Sequence, residues 1–166
     1  MPNVLVACAD AVVDALNADP QTNFGQVFEA ERSYADWELA LEDDSNQRGQ
    51  LKVDVVPVGQ LATDIETRAT LNYSPAVDVV VRVGLGPERR QADGKFTLEE
   101  IDALVLLVQG IAEFFSINRI GADSEFSWNA EVGTKILAAY KPTHLRQNHQ
   151  FTGVVRIPFY VSQELT

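Results

Sequence analysis

Both histidines of the chain, His144 and His149, lie within the stretch "HLRQNHQF". Imidazole is the side chain best suited to hold a metal or move a proton near neutral pH. Their spacing argues against one shared site. On a helix, neighbours on one face are three or four residues apart, not five. On a strand, an odd separation sends the two rings to opposite faces. No cysteine or glutamate cluster stands nearby to complete a metal shell. No serine or cysteine nucleophile signature accompanies either ring. The stretch reads as a polar lead into a strand, with no catalytic, metal-binding or cofactor-binding residue expected.

Other motifs also stop short of chemistry. "GLG" at Gly84–Gly86 follows a strand-like run, but Arg89 stands where a dinucleotide-binding turn needs its third glycine. The next helix starts only near residue 97, so a phosphate would find no helix N-terminus there. "DSNQRG" opens like a calcium loop. Arg48 then takes the fifth ligand position and Val55 the twelfth, where a bidentate glutamate is required. Glu99, Glu100 and Asp102 crowd the start of a helix, where acids favour the positive end of its dipole. A lone Cys8 excludes an intramolecular disulfide and a multi-cysteine zinc site, and makes a reducing setting the easier assumption. "LVAC" at residues 5–8 lacks the basic start and long apolar run of a lipoprotein signal. No apolar run nears the roughly 20 residues that span a bilayer.

The elements that would position these residues follow from periodicity. Residues 4–18 repeat apolar side chains at helical spacing, and "NADP" ends that helix because proline disfavours helical geometry before it. Residues 27–34 alternate as a half-buried strand, and "LKVDVVPV" places Leu51, Val53 and Val55 on one face. These two strands could pair as an antiparallel hairpin around the polar loop "EDDSNQRGQ". "GQLATDIETRATLNYSP" is ambiguous and reads as a linker holding a short strand or turn. "AVDVVVRVGLG" is the clearest strand, with Asp78, Val80 and Arg82 opposite its four other valines. "GPERRQADGK" has loop composition.

Thr97 and Glu100 form a capping box for a long helix. Its apolar residues are Leu98, Ile101, Leu104, Val105, Val108, Ile111, Ala112 and Phe115, widened by Leu106 and Leu107. That breadth predicts burial on more than one side. "VGTKILAAY" and "QFTGVVRIPFYVS" read as strands joined by "KPTHLRQNH". With no repeat and no βαβ alternation, the class is α+β in a single domain, residues 1–166. The expected architecture is a largely antiparallel or mixed sheet of four or five strands with two helices on one face.

At 166 residues, 46% hydrophobic and 22% charged, the chain suits one globular domain. Its formal charge of −11 is uneven: residues 1–66 hold 13 acids against 3 bases, and the remainder 11 against 10. Such a field repels a phosphate backbone and weighs against nucleic-acid binding. The plainer reading is an acidic face that aids solubility. Arg89 and Arg90 make a basic loop in an acidic protein, suited equally to a salt-bridged contact with another subunit or to plain solvation. Trp37 and Trp128 lie in connecting chain and suit either core or interface.

In its order of elements the chain resembles the tail-terminator (tail-completion or neck) proteins of long-tailed bacteriophages. The resemblance runs through the N-terminal helix, "VFEAERSYADW", "LKVDVVPV", an isolated Arg68, "YSPAVDVVVRV", the helix "TLEEIDALVLLVQGIAEFF" and "ILAAYKPTHLRQNHQFTGVVRIPFY". It covers nearly all 166 residues through soft apolar patterns, not an invariant signature. It implies a virion protein that assembles in the host cytoplasm and is not an enzyme. Such a protein caps the tail tube and forms a ring, commonly hexameric, joining tail to head connector. The implied partners are copies of itself, the tail-tube protein and the head-completion protein. DNA would only pass through the acidic lumen, and no membrane or cofactor is involved. The interface candidates Trp37, Arg68, Arg89 and Arg90 rest on chemistry and loop placement. Other readings are another head–tail connector or minor tail protein, or a small α+β ligand-binding or enzymatic domain.

Overall fold

The computed structural model describes residues 3–39, 50–59, 62–67, 70–84, 97–118, 120, 127–128 and 133–164. Among these are four helices: α1 (Val4–Asn17), α2 (Pro20–Phe24), α3 (Leu98–Ile117) and α4 (Pro142–Gln147). Eight strands accompany them: β1 (Ala30–Arg32), β2 (Leu51–Pro57), β3 (Ala62–Thr67), β4 (Thr70–Ser74), β5 (Ala76–Gly84), β6 (Ser127–Trp128), β7 (Lys135–Ala138) and β8 (Gln150–Glu164). The strands join in one mixed sheet, and the class is α+β.

The spine of the sheet is a two-stranded antiparallel ribbon. β8 pairs with β4 from Thr70↔Glu164 and with β5 through Gly84↔Gln150, in one unbroken register. Across the short gap between β4 and β5, Phe159 N donates to Pro75 O at 2.8 Å. β4 and β5 are therefore one course of chain along a single edge of β8. At 15 residues and about 3.3 Å each, β8 runs for roughly 50 Å. β2 and the β3 hairpin strand lie in tandem outside that course, and β7 and β6 in tandem on the other edge of β8. Pro57 lies across from Val77, and Pro158 across from Ala76 next to Pro75. Three prolines thus form a seam over three neighbouring courses. Each removes a backbone donor, so the ladder is weakest there, and the β3–β4 end joins the main sheet across that seam.

Alternation along the central strands sorts side chains onto two faces. On one face lie Val53, Val55, Val77, Val79, Val81, Val83, Phe151, Val155 and Ile157, packed under α1 and α3 in the main core. α1 contributes Val4, Cys8, Val12 and Leu16, spaced to make one buried stripe. α3 contributes Leu104, Leu107, Val108, Ile111, Ala112 and Phe115, and Thr97 caps it, with Glu100 N donating to Thr97 Oγ1 at 3.3 Å; the return bond from the Glu100 carboxylate is not made by Oε2, which has no partner. Phe24 of α2 meets Phe28 and Phe114 at ring distances of 5.7 and 5.1 Å and closes the side of the core.

Several expectations change. Among the described residues the sheet has eight strands, because "GQLATDIETRATLNYSP" holds β3 and β4, which pair antiparallel, and the last strand also collects β6 and β7. Four helices form instead of two. Pro20 ends nothing further; it starts α2 at the position where a missing N–H is harmless. "KPTHLRQNH" contains α4, again with proline in its first turn. β1 and β2 pair in parallel, Ala30↔Val53 to Arg32↔Val55, and are not a hairpin. Parallel neighbours need a crossover. Here its first part, residues 33–39, passes over the second face of the sheet. α3 is buried on one side only: Leu98 and Leu106 remain 75% and 66% exposed. Its second side meets no described element. Cys8 is buried in the core, which pushes its thiol up to about 12, far from thiolate chemistry.

Candidate functional site

The second face of the sheet carries the chemistry. Three cross-strand rows lie side by side: Lys52, Arg82 and Thr152; Asp54, Val80 and Val154; Val56, Asp78 and Arg156. Arg82 turns diagonally to Asp54, and the two are 4% and 1% exposed, an ion pair removed from water. Asp78 takes Arg156 as a two-pronged partner, with Nε to Oδ1 at 2.8 Å and Nη2 to Oδ2 at 2.9 Å. That fork raises the Arg156 pKa further, chiefly through its hydrogen bonds to the Asp78 carboxylate. Fork-to-carboxylate pairs are among the stronger charge-assisted bonds.

Two segments cover this face. The Trp37 ring packs on Val56, Val80 and Val154, and its indole N–H donates to Asp78 Oδ2 at 3.3 Å. Lys141 Nζ lies 5.4 Å from the Trp37 ring centroid and donates to the Glu38 carbonyl at 3.3 Å. Beside it, α4 inserts His144, whose Nε2 lies 3.0 Å from the Glu38 carbonyl and Nδ1 2.7 Å from Thr152 Oγ1. A carbonyl can only accept, so Nε2 carries the proton. The Thr152 hydroxyl then donates to Nδ1 and accepts from Gln150 Nε2 at 2.8 Å.

A hydroxyl at hydrogen-bond distance from an imidazole whose far nitrogen is held is the arrangement of a nucleophile, its base and an orienting group. Burial decides against that use. Thr152 is 0% exposed and Gln150 holds its oxygen, so an electrophile would reach it only by displacing α4 or the Trp37 turn. The set works as a clamp fastening the 36–39 turn and α4 to the sheet.

Burial is the largest influence on His144 and lowers its pKa, as do the nearby Lys141 and Arg82; the Glu38 carbonyl opposes them. A folded-state pKa below the unfolded value means that the unfolded chain binds the extra proton. His144 therefore subtracts stability as pH falls below about 6.5, through the window down to its folded pKa. The expected result is a denaturation midpoint that drops between about pH 7 and pH 5 in the wild type. The drop is shallower in His144→Gln, and chemical denaturation at several pH values measures it.

His149 sits just beyond α4 with φ of 50°, a left-handed geometry unusual for a non-glycine residue. Trp37 is half-buried and anchors within its own chain. Arg68, Arg89 and Arg90 lie outside the described residues. Sequence reasoning did not single out Asp54, Arg82, Asp78, Arg156, Thr152 or Gln150 as a set. One signal was present: each central strand carries a charged residue flanked by valines, as in "VDVV", "VDVVVRV" and "VVRI". Charges so deep in apolar runs require partners.

Among the described residues no group of three or more His, Cys, Asp and Glu side chains could hold a metal ion, and no helix is long and apolar enough to cross a membrane. Comparison with known protein families finds no match, and comparison with curated protein sequences finds none either.

Proposed function

We propose that this chain is a structural virion protein of a long-tailed bacteriophage, a tail terminator that caps the tail tube and forms the ring on which the head connector docks. One observation carries the reading. Among the described residues His144, Thr152 and the Asp54–Arg82 pair are locked inward, while large apolar side chains face outward. Val27, Tyr34, Leu98, Leu106 and Ile117 are each more than two-thirds exposed or nearly so, and such surface suits association more than catalysis. The chain-order resemblance supports the same reading. The acidic character suits a lumen through which DNA slides without being held. Partners on this reading are further copies of the chain in a hexameric ring, the tail-tube protein and the head-completion protein.

A second reading, a small enzyme, draws on the Thr152–His144 contact alone. The deciding experiment adds the purified protein to polymerising tail-tube protein and images the tubes by electron microscopy. Rings seated on tube ends and tubes of arrested length are expected. Tubes that grow unchanged in excess protein would refute the terminator role. His144→Gln is expected to cap tubes as the wild type does.

A further inference from the structure

The two lateral ends of the sheet carry opposite charge. At the β1 end, α1 runs along the strand: Arg32 Nε lies 3.5 Å from Asp10 Oδ1, and Asn17 exchanges two hydrogen bonds with Ala30, at 2.7 and 2.9 Å. Residues 3–32 hold five acids, Asp10, Asp14, Asp19, Glu29 and Glu31, all exposed, against the one base Arg32. At the opposite end, residues 133–162 of β7, α4 and β8 hold Lys135, Lys141, Arg146 and Arg156 and not one acid.

Among the described residues, each end gathers charges of one sign that its own neighbours offset only in part. Lys135 stands directly across from Arg156 on β7 and β8, and like charges placed opposite in a sheet repel. Arg156 has Asp78, whereas Lys135 and Arg146 are exposed. On α1, Asp10 and Asp14 repel each other one turn apart, and Arg32 relieves only the first of them. Each end also exposes apolar surface: Val27 and Tyr34 at the acidic end; Ile136, Leu137 and Tyr140 at the basic end, each of the last three at least 40% exposed.

We infer that the acidic α1–β1 end of one copy docks on the basic β7–α4 end of the next, joining copies of this chain head to tail. The inference rests on the assembly reading and names the surfaces involved. The contact is made through side chains and is not a continued strand ladder, because Asn17 already occupies the outward backbone groups of Ala30. Since the two surfaces differ, the contact is heterologous and repeats until the chain of copies closes or runs out.

Two variants test it by sedimentation velocity, with circular dichroism to show that each folds. Asp14→Lys with Glu31→Lys reverses two charges of the acidic end; Lys135→Glu with Arg146→Glu reverses two charges of the basic end. Each alone is expected to associate at least about tenfold more weakly than wild type. Mixed in equal amounts they are expected to regain association by alternating. Wild-type association is expected to weaken between about 20 mM and about 500 mM salt as screening shortens the reach of the charges. If both variants assemble as the wild type does, these surfaces are wrong while assembly itself stands. A wild type and a mixture that both remain monomeric at low salt would overturn the inference, and capping of tube ends would then be judged separately.

Discussion

Asp54→Ala is expected to destabilise the fold by about 3–5 kcal/mol, because it strands the Arg82 guanidinium in a site that is 4% exposed. A loss of that size is a large share of the roughly 5–15 kcal/mol that holds a typical domain together. Removing both charges is a different experiment. Asp54→Val combined with Arg82→Met fills the space with apolar groups, and its stability is expected to return near that of the wild type. Guanidinium or urea midpoints at neutral pH measure all three proteins. A single variant losing less than about 1 kcal/mol would mean that water reaches Arg82, and the buried pair would be misassigned. Asp78→Ala gives a useful contrast. It strips partners from both Arg156 and Trp37, but the Arg156 side chain is 37% exposed and can turn to solvent, so the smaller loss is expected there.

Gly153→Ala is the second large effect, expected at about 1–3 kcal/mol, with Gly153→Val worse. A Cβ at Gly153 would lie 2.4 Å from Val108 Cγ2 and 3.2 Å from both the Ala139 carbonyl and the Phe151 ring. Val108 is fully buried and, being β-branched in a helix, has almost no alternative rotamer. The added methyl must therefore lift α3 from β8. Alanine is otherwise no worse than glycine in a strand, so the sign of the change reports the close approach itself. Val108→Ala, destabilising alone, is expected to recover part of the loss in the double variant, a coupling of opposite sign read from a mutant cycle. Simple additivity of the two would show that the helix does not sit where the structure places it.

How much of this was legible beforehand depends on the range over which each feature is decided. α1, the capped α3 and the valine face of β5 follow from side-chain periods of 3.6 and 2, properties of adjacent residues. The breadth of the α3 apolar run misled, since nothing local says whether a second element arrives to cover Leu98 and Leu106. The short elements were misread for a related reason. A three-residue strand, or a six-residue helix such as α4, is stabilised by what it packs on more than by its own propensity.

The candidate site divides along the same line. Sequence alone determined the α+β class, the long helices and which residues of β5 share a face. Only the tertiary structure decided that β1 runs parallel to β2, that β4 and β5 form a single course against β8, and that Asp54 meets Arg82 and Asp78 meets Arg156. The partners Asp78 and Arg156 are 78 residues apart along the chain. Alternation fixes only the face on which a charge stands. Which opposite charge reaches it depends on strand order and register, and those are selected by the burial of the whole apolar face at once, a condition no local stretch of chain contains.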